Sequence, residues 1–78
     1  MLKLSIALLL LAAEPEWSQL VDLAQQQERR GLYSEAVATL RAALQSGRKQ
    51  GLKPADESLI LNNLGSVQTS LADYPGAE

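Results

Sequence analysis

The chain has 78 residues, a net charge of −2, and neither cysteine nor histidine. That length allows one small domain of marginal stability. The missing side chains remove disulfides, thiolate metal sites, and the commonest general base and zinc ligand.

The seven basic and nine acidic residues are scattered. No basic run offers a nucleic-acid surface. Abundant alanine, leucine and glutamine, with no phenylalanine, favour helix over sheet. Trp17, Tyr33 and Tyr74 are the only aromatic residues, so aliphatic side chains must build the core.

Residues 1–13 stand apart. Met1-Leu2-Lys3 is a short basic start, and Leu4 to Ala13 is an uncharged apolar run broken only by Ser5. The chain then turns polar at Glu14-Pro15-Glu16. This order describes a secretory signal peptide, or an N-terminal membrane anchor if it is not removed. The run is short of the roughly 20 residues a spanning helix needs. Ala12 and Ala13 supply small residues for cleavage, although Leu10 or Leu11 falls where a second small residue is usual. A buried or amphipathic N-terminal helix is the competing reading, and Leu8 to Leu11 offers no polar face for a surface helix. Export to a periplasmic or extracellular space follows if the signal is cleaved, with no transmembrane span left. The absence of cysteine excludes a lipid-modified N-terminus.

Residues 14–54 read as one helical hairpin. Glu14-Pro15-Glu16 opens a helix over about residues 16–30, since acidic residues and proline suit a first turn. Trp17, Leu20, Val21 and Ala24 recur at helical spacing, and Leu23 widens the stripe. Gly31 can take positive φ and end the helix. Ser34 is a good N-cap for a second helix over about 34–49. Ala36, Val37, Leu40, Ala43 and Leu44 mark its apolar face. Arg48 and Lys49 suit its negative end, and either Gly47 or Gly51 stops it. The link between the helices is only about three residues long, which makes them antiparallel neighbours.

Residues 55–78 give one further helix and the start of another. Pro54 disfavours helical geometry at Lys53. Asp56 is expected to cap a helix over about 56–71, with Leu59, Ile60, Leu61, Leu64, Val67 and Leu71 as its apolar positions. Ala72-Asp73-Tyr74 makes the next turn, and Pro75 begins the stub of a fourth helix.

The chain also repeats itself. At an offset of 41 residues, Leu20 falls on Leu61, Leu23 on Leu64, Gln27 on Gln68, Tyr33 on Tyr74 and Ala36 on Ala77. Ala24 falls on Gly65, and Gly31 on Ala72. The matches lie at helix-contact and turn positions.

With these residues the chain resembles the tetratricopeptide repeat. Leu23-Ala24, Gly31-Leu32-Tyr33, Ala36, Leu40 and Ala43 fit one repeat. Leu64-Gly65, Ala72-Asp73-Tyr74 and Ala77 fit a second, incomplete one. The period exceeds the usual length of about 34. With Asn62-Asn63-Leu64-Gly65, it is similar to the longer variety found in kinesin light chains and bacterial scaffold proteins. The sequence departs from the pattern where Leu20 and Leu61 replace a frequent tryptophan, where Ala72 replaces the turn glycine, and where Pro75-Gly76 opens the last helix.

The resemblance implies an all-α fold of stacked antiparallel hairpins, the start of a right-handed α-solenoid. It implies a non-catalytic scaffold or adaptor that binds a protein or peptide, without cofactor or metal. Small Ala24, Gly65, Ala36 and Ala43 would let helices approach closely, and the Tyr33 and Tyr74 rings would pack between them. The first helix of each repeat would line a concave groove. That places Ser18, Val21, Gln25, Glu28 and Arg29 there from repeat one, and Leu59, Asn62, Ser66, Thr69 and Ser70 from repeat two. Asn62 can donate to and accept from a peptide backbone. Arg29 can pair with an acidic group.

Repeat units cover one another's apolar faces, so one and a half of them leave a face open. The chain then reads as part of a longer array, or as a chain that completes its core by self-association or by docking on a larger protein. A purely structural, self-associating helical hairpin is the alternative. Catalysis lacks parts by every route: the serines have no histidine to activate them, and Glu14/Glu16 and Asp56/Glu57 are explained by helix-start charge. No glycine-rich phosphate loop is present.

Overall fold

A computed structural model of the chain describes residues 16–73. Residues 1–13, with the signal-peptide reading, lie outside the described residues. So do Tyr74, Ala77 and the helix expected from Pro75. The described residues form three helices and no strand. They are α1 (Trp17–Arg29), α2 (Tyr33–Lys49) and α3 (Pro54–Asp73). The fold is all-α. Helix α2 is the shared middle element, packing on α1 through one face and on α3 through another. No helix among the described residues is long and apolar enough to cross a membrane.

Glu16 is the N-cap of α1 and forms a capping box with Gln19. The Glu16 N–H donates to Gln19 Oε1 at 3.1 Å, which satisfies a donor the helix start would leave unpaired.

Helices α1 and α2 end in the same way. The Leu32 N–H donates to the Gln27 carbonyl at 2.9 Å, and the Gly31 N–H donates to Glu28 at 3.0 Å. Twenty residues on, Leu52 N–H donates to Gly47 at 2.8 Å and Gly51 N–H to Arg48 at 3.4 Å. These are two Schellman closures, each with a glycine at positive φ (Gly31 at 77°, Gly51 at 80°) and a leucine after it. Gly51, not Gly47, therefore stops α2. Gly47 lies buried inside the helix because Leu52 folds back on it. A Cβ there would sit 3.0 Å from both Leu52 methyl carbons.

Two expected helix starts move. Helix α2 begins at Tyr33 with Leu32 as its N-cap, not at a capping Ser34. The Schellman turn brings the chain straight into the next helix, and the Ala36 N–H already donates to the Leu32 carbonyl at 3.0 Å. Helix α3 begins at Pro54 rather than after a capping Asp56, with the Glu57 N–H donating to the Lys53 carbonyl at 2.9 Å. Proline keeps Lys53 out of helical geometry and has no N–H to lose at the first helical position. Asp56 and Glu57 occupy that first turn, where their charge suits the helix dipole.

The core joins all three helices. Val21 and Ala24 come from α1, Ala36, Val37, Leu40 and Ala43 from α2, and Ile60 and Val67 from α3. Trp17, Leu20, Tyr33, Leu44, Leu52 and Leu64 pack around them, half-buried. Three of the buried residues are alanines, which bring the α1 and α2 backbones close but add little apolar area. Leu40, Ile60 and Val67 are the largest fully buried side chains. Burying each contributes about 1.5–3 kcal/mol.

Candidate functional site

The first candidate region is the polar side of α1 and α3. On α1, Ser18, Gln25 and Arg29 are exposed and follow one stripe, while Glu28 is half-buried. Val21 is buried, at 5% exposure, so it belongs to the core and cannot line a groove. On α3, Leu59, Asn62, Ser66 and Thr69 are exposed and Ser70 is half-buried. They form a second stripe, running along the helix flank away from the seam with α2. The Thr69 hydroxyl donates to the Gly65 carbonyl of its own helix at 2.9 Å. Asn62 and Arg29 thus sit on different helices, each directed to solvent and able to contact a partner.

Asn63 behaves differently from its neighbour. It follows Ile60 and precedes Val67 on the face of α3 turned toward α2. Its side-chain Nδ2 is buried without a hydrogen-bond partner among the described residues. Leaving such a donor unpaired costs about 1–3 kcal/mol. The spacing Ile60, Asn63, Val67 (i, i+3, i+7) carried that signal in the sequence, but the reading of the Asn62-Asn63 pair favoured Asn62.

The second candidate region is apolar. Leu23, Leu59 and Leu61 are large hydrophobic residues left 44%, 47% and 45% exposed. Leu23 and Leu61 were expected in the helix seams and are not there, because only one side of α1 and of α3 meets α2; Leu59 was expected on the groove-lining face and is exposed. Gly65 was expected to admit a closely packed helix. It is exposed, and an added Cβ meets nothing within 4 Å. Its counterpart Ala24 is buried, because α2 covers α1.

Two polar contacts set how the helices sit. The Thr39 hydroxyl donates to Gln27 Oε1 at 2.7 Å, a half-buried link from α2 to α1. Arg48 Nε donates to Glu57 Oε2 at 2.9 Å, joining the end of α2 to the start of α3. The second pair is exposed, and such pairs contribute about 0–1 kcal/mol. The Gln27 contact escaped the sequence reading, although the Gln27/Gln68 identity marked the position.

Among the described residues no group of three or more His, Cys, Asp or Glu side chains is placed to hold a metal ion. No protein family, curated protein or solved structure matches the chain.

Proposed function

We propose that the chain is a repeat-type helical scaffold, similar to the tetratricopeptide repeat, that binds a protein or peptide partner without catalysis. One observation carries this reading. Helix α3 repeats the α1 residues Leu20, Leu23 and Gln27 as Leu61, Leu64 and Gln68, and packs on α2 as the next layer after the α1–α2 hairpin. A chain that re-uses one helix pattern to add a layer builds by repetition, and repeat arrays use their extended faces for binding. Stacking of such hairpins into a right-handed solenoid is part of the proposal. So is export directed by residues 1–13, which N-terminal sequencing of secreted material tests.

The two polar stripes, Gln25, Glu28 and Arg29 on α1 and Asn62, Ser66, Thr69 and Ser70 on α3, are the proposed peptide-contacting surface. Peptides selected on the full chain from a display library should bind through it. The double change Asn62→Ala with Arg29→Ala should weaken that binding by about tenfold, the equivalent of roughly 1.4 kcal/mol. Unchanged binding by the double variant contradicts the groove assignment.

The exposed Leu23, Leu59 and Leu61 favour a second reading, a self-associating hairpin without a ligand groove. Size measurement distinguishes the two: a stable dimer that selects no peptide supports the second.

A further inference from the structure

Helix α3 has no charged side chain from Ser58 to Ala72. Yet its flank away from α2 is exposed at Leu59, Asn62, Ser66 and Thr69. The same chain does place charge on its other exposed helix surfaces, with Asp22 and Arg29 on α1 and Glu35, Arg41 and Lys49 on α2. A helix face that meets only water is normally charged and polar. Depletion of charge is the compositional mark of the centre of an interface.

The chemistry of the flank changes along its length. Leu59 lies in the second turn and is 47% exposed. The α1 residue 41 positions earlier is Ser18, so the apolar end belongs to α3 alone. Asn62 follows one turn on and can both donate and accept. The Thr69 hydroxyl gives its proton to the Gly65 carbonyl at 2.9 Å, which leaves its oxygen to accept. Across on α1, the groove residues Glu28 and Arg29 are opposite in sign, so the two stripes together carry no net charge.

A charged group brought against α3 would lose water and meet no counter-charge, which is costly. An extended backbone instead brings N–H and C=O groups for Asn62 and an N–H for Thr69, and an aliphatic side chain would cover Leu59. We infer that the partner at this site is an uncharged extended segment that sets an aliphatic side chain on Leu59 and donates backbone N–H groups to Asn62 and Thr69. From Leu59 to Ser70 the stripe is roughly 16 Å long, and an extended segment of about five residues spans it. Apolar contact and hydrogen bonds carry the recognition, so binding is insensitive to salt and is not steered by charge.

This inference rests on the proposed peptide-contacting surface, and the two fail separately. The test uses the full chain and a displayed library of short random peptides. Enriched peptides should contain an aliphatic residue and be depleted of acidic and basic ones. Synthesised with both ends blocked, an enriched peptide should bind with a Kd that changes by less than about twofold between low and high salt. Leu59→Asp should weaken that binding by at least about tenfold while circular dichroism shows the helices intact, and Leu59→Met should preserve it. Enriched peptides that are acidic or basic, or a Kd that rises steeply with salt, overturn the inference and leave the groove assignment standing. So does binding that is weakened by Asn62→Ala with Arg29→Ala but is indifferent to Leu59→Asp. Binding indifferent to all of these changes overturns the groove assignment and the inference together. A chain that captures no peptide also overturns both, and a dimer that Leu59→Asp breaks would then make a second copy the occupant.

Discussion

Glycines in three settings show how single residues act in this chain. Gly51 sits at φ 80°, where a side chain is strained, and Gly51→Ala should destabilise by about 1–2 kcal/mol. Gly47 is held against Leu52, and Gly47→Leu should cost about 1–3 kcal/mol by overpacking. Gly65 has open space, so Gly65→Ala should stabilise the isolated chain by about 0.5–1 kcal/mol. Urea unfolding of the three variants checks the order. A destabilising Gly65→Ala would contradict the open space beside it. Gly31 was legible as a stop because the left-handed conformation is a local property. The end of α2 stayed open between Gly47 and Gly51, because the choice depends on Leu52 folding back on Gly47. Asn63 escaped although its spacing from Ile60 and Val67 placed it on the buried stripe, because the groove reading fell on the adjacent Asn62.

At the scale of the element, helix existence was far easier to read than helix contacts. The periodic apolar positions, the Glu14-Pro15-Glu16 start and the Gly31 stop define three helices close to those observed. The buried set of Val21, Ala24, Ala36, Val37, Leu40, Ala43, Ile60 and Val67 falls entirely on those stripes. Leu23, Leu59 and Leu61 belong to the stripes too, yet stay exposed. An apolar stripe records which side of a helix seeks cover, not whether a covering layer is present. The polar contacts between elements should differ in weight. Thr39→Val removes a half-buried hydrogen bond to Gln27 and should cost about 1 kcal/mol. Glu57→Gln breaks an exposed pair with Arg48 and should cost less than that, with the difference shrinking further in high salt. Denaturation at low and high ionic strength separates them; a larger, salt-resistant loss from Glu57→Gln would contradict this ranking.

For the whole molecule, the decisive feature is the mismatch between helix content and covered surface. Among the described residues, three helices share a core whose largest fully buried side chains are Leu40, Ile60 and Val67. The conformational entropy lost on folding is about 1–2 kcal/mol for each backbone residue, which leaves little margin. The same mismatch underlies the scaffold proposal. A further layer would bury Leu61 and Leu64 and supply the missing stability by mass action. The most direct measurement is thermal unfolding of the full chain, followed by circular dichroism across a wide concentration range, with mass in solution measured alongside. A broad transition, or a midpoint that climbs with concentration as the open faces find cover, is predicted. A sharp transition at a fixed midpoint, from a chain shown to be monomeric throughout, would contradict the uncovered-layer reading.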